Sequence, residues 1–219
     1  MIVYKQIYKQ IVETINQISG SYHSTVIFND WVEMTALAFV NTYCPFASKE
    51  WKDVWDLREQ RYLELAKKHQ AYINVFSEMV GMLAMCFERE FDDYLGKIYM
   101  ELDAHNAKTG QFFTPFHISE LTARLTGSTD EPIVVNEPSC GGGGMIIAKA
   151  KSLKERGYDY QKNMRVIAQD LSVNSCYMCY VQMSLIGING VVIQGDTLAA
   201  KTPGPEQMWY TPMAMGVLI

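Results

Sequence analysis

The stretch PIVVNEPSCGGGG, residues 132–144, decides how this chain is read. Ile133, Val134 and Val135 form a short apolar run ending at Asn136 and Glu137, and the glycines Gly141 to Gly144 follow almost at once. From Met145 the pattern turns helical. A strand that runs through glycines into a helix brings backbone N–H groups and a helix N-terminus close to a ligand. Only glycine allows that approach without a side chain in the way. The segment therefore predicts a nucleotide-type cofactor at the carboxyl end of a parallel sheet.

Working outward, a helix over residues 118–125 precedes this strand. A helix over 145–156, a strand over 164–169, a helix over 173–185 and a strand over 191–194 follow it. Strand–helix alternation at this spacing predicts parallel strands joined by crossover helices. Upstream, the first hundred residues read as all-helical. Ile2, Ile7, Ile11, Ile15 and Ile18 recur at helical spacing. An apolar helix over 31–43 stops near Pro45, and Ser48 reads as the N-cap of a charged helix reaching about His69. Residues 72–87 are strongly apolar and central to the helical core, and one more helix covers 91–102. The character changes at about Asp103, where the short polar segment 104–110 ends in glycine and reads as a hinge. The expected division is a helical domain over 1–103 and a cofactor-binding domain over 104–219.

Composition narrows the partners. With 48% hydrophobic and 20% charged residues the chain is an ordinary globular protein. Its net charge is −5 and acids outnumber bases in both halves, so it lacks the basic surface that grips nucleic acid unaided. Any DNA binding requires a local patch or a partner subunit. The five cysteines are odd in number and scattered, and neither a signal peptide nor a membrane-length apolar run is visible. Reduced thiols in a cytoplasmic protein are expected. Cys176 and Cys179 form a CxxC with no second pair and no flanking histidine, which reads as two buried thiols on a helix, with no metal site.

Three acids lie just beyond the three predicted strands: Glu137, Asp170 and Asp196. In a parallel sheet these carboxyl ends line one crevice. Glu137 suits a cationic or polar end of a ligand, Asp170 can take a ribose diol through both oxygens, and Asp196 can accept from the exocyclic amine of a base. A carboxylate beside the glycines disfavours a phosphate-bearing dinucleotide and favours a cofactor with a positive end, as in S-adenosylmethionine. The segment GQFFTP, residues 110–115, allows two readings: two aromatic rings tucked into a domain interface, or a lid in which a ring covers the ligand.

GQFFTP, NEPSCGGGGM, AQDLS and GDTL, in this order, resemble the N6-adenine DNA methyltransferases, above all the modification subunit of type I restriction systems. The likeness covers roughly residues 90–200 and includes DYLGKIY, residues 93–99, which is similar to the family's junction between helical and catalytic domains. It implies a Rossmann-like methyltransferase sheet and S-adenosylmethionine as cofactor. The lid is then Phe112, Phe113 and Thr114. The cradle runs from Glu137, Pro138 and Ser139 through Cys140, Gly141 and Gly143. Asp170 with Leu171 takes the ribose, and Asp196 with Thr197 lies near the adenine. Glu137 replaces the family's aspartate, Ser139 its alanine and Gly142 its serine.

The resemblance fails at one place. The family's catalytic Asn/Asp-Pro-Pro-Tyr/Phe accepts hydrogen bonds from the adenine N6 amine and stacks a ring on the flipped base. It belongs after Asp196, where the nearest text is Trp209-Tyr210-Thr211-Pro212, leaving Thr211 and Pro212 as the only catalytic candidates. Two functions are therefore expected to compete. One is an adenine-specific DNA N6-methyltransferase of restriction–modification type, or its cofactor-binding part, acting on double-stranded DNA with a specificity subunit. The other is a non-catalytic cofactor-binding or scaffold subunit. Whether the chain is a fragment or a reduced relative, and whether it forms homo-oligomers, stays open at this point.

Overall fold

The computed structural model describes residues 3–20, 22–42, 49–103, 113–127, 132–199 and 201–216. The predicted linker at 104–110, Ser48, Phe112 and Cys44 lie outside the described residues. Five helices come first: α1 (Val3–Ser19), α2 (Ser24–Asn41), α3 (Lys49–Lys68), α4 (Ile73–Arg89) and α5 (Tyr94–Asp103). After these come α6 (Phe116–Leu125), β1 (Ile133–Glu137), α7 (Gly144–Glu155), the short α8 (Tyr160–Asn163), β2 (Met164–Asp170), α9 (Val173–Leu185), β3 (Asn189–Gln194) and β4 (Met208–Tyr210). The expected α/β fold is present, an all-helical N-terminal region followed by a sheet with crossover helices.

The helices form where the apolar spacing requires them. Ile7, Ile11 and Ile15 make one buried stripe on α1, which packs on α2, α4 and α5. α2 is buried on nearly every side, from Ile27 and Phe28 to Leu37 and Val40, because it lies between the other helices and α9. α3 buries only Val54 and Leu65 and carries Glu50 in its first turn and Lys67 and Lys68 in its last, the polarity that complements the helix dipole. The buried Asp30 carboxylate on α2 is held by Lys68 Nζ at 2.6 Å and His69 Nε2 at 2.7 Å.

The sheet order is β1-β2-β3-β4. β1, β2 and β3 run parallel, with Glu137 opposite Ala168 and Asp170 opposite Gln194, while β4 is antiparallel to β3. β4 and α8 went unpredicted because three- and four-residue elements carry no periodicity to read. Met164, Val166, Ala168 and Val192 face the helices and are buried, whereas Val134 and Ile167 face outward and are exposed. One continuous core runs from Ile7 on α1 through α2 and α9 to Trp209 on β4. The register sets the ends of β1, β2 and β3 side by side, and that rim carries the site.

Candidate cofactor site

The glycine run leaves β1 as a tight turn tied to β2. Cys140 N donates to Gln169 O at 2.9 Å and Gly143 N donates to Cys140 O at 2.8 Å. Gly141 (φ 51°) and Gly143 (φ 95°) take left-handed conformations that side chains disfavour. The glycines are also crowded from behind. A Cβ on Gly141 would meet the Phe113 ring at 3.0 Å, one on Gly142 the Asp93 carboxylate at 3.1 Å and one on Gly143 the Cys179 thiol at 3.1 Å. The sequence reading assigned these glycines to ligand approach alone; packing claims their other side. α7 starts directly from the turn, and its N-cap Gly143 has no side chain to occupy the helix N-terminus.

Asp170 joins the strand ends. Its Oδ2 accepts from Gly141 N and its Oδ1 from Ser172 N, each at 2.9 Å, while its carbonyl accepts from Gly195 N at 2.9 Å. Each carboxylate oxygen keeps a further lone pair for a ligand hydroxyl. Asp196 is exposed and its Oδ1 accepts from Leu198 N at 2.9 Å, opening the single turn Thr197–Ala199. Thr197 Oγ1 donates to Pro138 O at 2.7 Å, so the β3 rim closes onto the β1 turn. Leu171 and Leu198 are 70% and 95% exposed beside these acids, an apolar pair in water at a polar rim. Glu137 is half-buried. Burial pushes its carboxyl up, and the Ser139 backbone N–H partly offsets this.

Phe113 is wedged between Gly141 and Tyr99 of α5, its ring 5.5 Å from the tyrosine ring at 82°. Thr114 is exposed and Pro115 opens α6. A cavity of about 570 Å³ lies between α1, α5 and this segment, bordered by Asp93, Gly96, Phe113 and Thr114. Cys140, Cys176 and Cys179 are buried free thiols. Burial raises Cys176, and a hydrogen bond from the Cys179 thiol to Cys140, with burial, raises Cys179, so both stay protonated. No His/Cys/Asp/Glu group suited to a metal ion exists among the described residues.

Thr211 and Pro212 do not join this group. Thr211 is fully buried; its Oγ1 donates to Ile188 O at 2.7 Å and accepts from Gly190 N at 3.1 Å. Gly190 lies at the start of β3 and the acids lie beyond its end, roughly 13 Å away at ~3.3 Å per residue. Thr211 therefore braces the opposite edge of the sheet. Sequence reasoning also missed two residues, Asp93 as a buried partner of the glycine turn and Gln182 beside it. The readable signal was Gln182 itself, an amide set among Cys179, Val181 and Met183 in the apolar middle of the helix.

A family model for N-6 DNA methylases matches residues 90–214, from the last turn before α5 to β4 and beyond. The methylase subunit of the type I restriction enzyme MpnII of Mycoplasma pneumoniae is 32% identical over 124 residues, 52% of this chain and 22% of that protein. The chain thus spans about a fifth of the length of this curated relative. A crystal structure of a type I restriction–modification methyltransferase subunit from Streptococcus thermophilus covers 92% of this chain and 47% of its own, at 16% identity and a TM-score of 0.42. With the matched segment spanning the glycine turn, all three acids and more than half of the residues, the chain belongs to the N-6 DNA methylase family.

Proposed function

We propose that this chain is the S-adenosylmethionine-binding part of an adenine-N6 DNA methyltransferase of the restriction–modification type. The observation that carries the reading is the convergence of Glu137, the left-handed glycine turn, Asp170 and Asp196 on one rim, with Leu171 and Leu198 exposed just beyond the last two acids. These residues fit the cofactor. Asp170 retains acceptor capacity for a ribose diol, the leucines suit the faces of a flat base, and Glu137 suits the cationic methionine end. When bound, this cofactor supplies a methyl group already activated on a sulfonium. The chain's own share is positioning, which alone is worth several kcal/mol of a barrier (about 7–11 at best).

A second reading is favoured by the placement of Thr211. No described residue near the rim replaces the family's amine-orienting motif, so the chain alone binds donor and transfers slowly. The amine-orienting side and the grip on double-stranded DNA are supplied by partner polypeptide, a specificity subunit among it, in keeping with the net charge of −5. The buried free thiols suit a reducing cytoplasm, and no described helix is long and apolar enough to cross a membrane. Isothermal titration with S-adenosylmethionine, paired with labelled-methyl transfer to duplex DNA, tests both readings. Binding is expected with the chain alone and transfer only with the partner. Binding without transfer even then removes the enzyme reading, and absence of binding removes both.

A further inference from the structure

We propose that Asp93 and Gln182 are positioning residues of the donor site, a buried clasp through which the helical region holds the glycine turn in shape. The proposal rests on the cofactor reading above for its functional consequence, but not for its structural one. Asp93 precedes α5 and is 4% exposed; Gln182 on α9 is fully buried. Gln182 Nε2 donates to Asp93 Oδ1 at 2.8 Å and to Gly142 O at 2.7 Å, and Gln182 Oε1 accepts from Leu95 N at 3.0 Å. Gly96 N donates to the same Asp93 oxygen at 3.0 Å. One amide thus ties three segments distant in sequence: the start of α5, α9 and the turn itself.

The cost of the arrangement is informative. A carboxylate taken out of water is unfavourable by several kcal/mol unless it is well paired. The nearest cation, Lys97, is engaged by Asp92 at the surface instead. An apolar side chain would fill the space behind the turn without that cost. Asp93 accepts one N–H of the Gln182 amide and, together with the Leu95 N–H on the amide oxygen, fixes it so that the other N–H points at the Gly142 carbonyl. A Cβ on either glycine that flanks Gly143 would crowd the carboxylate, at 3.1 Å from Gly142 and 3.2 Å from Gly144, so the turn packs closely on Asp93. The conformation of the cofactor turn is therefore set from the helical side of the molecule.

The test compares D93L and Q182M, which keep the outline of the side chain and lose the bonds, with D93N, which keeps the acceptor oxygen. L83A serves as a control, since Leu83 is buried on α4, a helix that packs chiefly on α1. The readouts are amide hydrogen exchange of residues 138–147 without ligand and titration with S-adenosylmethionine. D93L and Q182M should speed exchange in the turn and weaken binding by about tenfold or more, the loss of one or two bonds to a buried polar group. D93N should stay within about threefold of the parent, and L83A should lower Tm while leaving both readouts in place. Wild-type turn amides that exchange as fast as an open loop overturn the clasp, whether or not the variants fold. So does L83A changing both readouts as much as D93L. If the parent binds no S-adenosylmethionine, the functional reading falls, and hydrogen exchange still decides the clasp.

Discussion

At the scale of the residue, the acids divide into those that sequence exposes and one that it hides. Glu137, Asp170 and Asp196 each end an apolar run, so their place at strand ends is legible from pattern alone. Asp93 has the local look of a residue that merely opens a helix, and its burial comes from α9 and the turn, which no local window contains. That burial has a consequence in solution. It raises the Asp93 carboxyl, with the Gln182 and Gly96 N–H groups pulling the other way, and with Asp92 and Lys97 as the neighbouring charges. A carboxyl raised on folding adds stability below its unfolded value of 3.8 and loses it as pH climbs through the higher folded value. Thermal melts of D93N and the parent should therefore shift in favour of D93N as pH is raised from 3.8 through the higher folded value. A constant difference across that range sinks the assignment.

At the scale of the element, what the sequence revealed depended on how many sides each element buries. α1 shows a stripe because one face is buried, and α9 was placed residue for residue from its apolar run. α2 begins about two turns earlier than expected, at Ser24 with His23 accepting from Thr25 N, because Asn29 and Asp30 interrupt the apolar run that continues from Val26. β3 begins at Asn189, not Val191, because pairing with β2 overrides an Asn-Gly that reads locally as a turn. The strand-to-helix joint gives the clearest prediction. G143A combines a left-handed backbone with a clash on Cys179 and should cost about 2 kcal/mol or more. G157A has a similar φ of 84° and open space around it, and should cost only about 1 kcal/mol. Urea denaturation checks the order, and equal losses would show that the thiol contact contributes nothing.

At the scale of the whole molecule, the helical region and the sheet are welded together. α2 packs along α9, and Arg58 on α3 stacks over Trp209 at 4.1 Å while donating to Met208 O at 2.9 Å and Glu206 O at 3.3 Å. The sequence marked a change of character near Asp103 and gave no hint of this seam, because its contacts join residues about 150 apart. Thermal or urea unfolding should show a single cooperative transition. R58A should lower its free energy by about 1–2 kcal/mol, from the lost cation–π and carbonyl contacts. Two separated transitions would mean that the seam does not couple the halves.

Cys140 gives the turn a built-in clock. Its thiol is buried against Cys179, and its backbone N–H is fastened to Gln169 on β2. No reagent can reach that sulfur until the turn lifts off the sheet. The rate at which an excess of alkylating agent consumes Cys140 is therefore the rate, or at lower reagent the population, of turn opening. A ligand seated on the rim must slow that chemistry in proportion to its own occupancy, so a thiol packed beneath the turn reports the state of the site by silence.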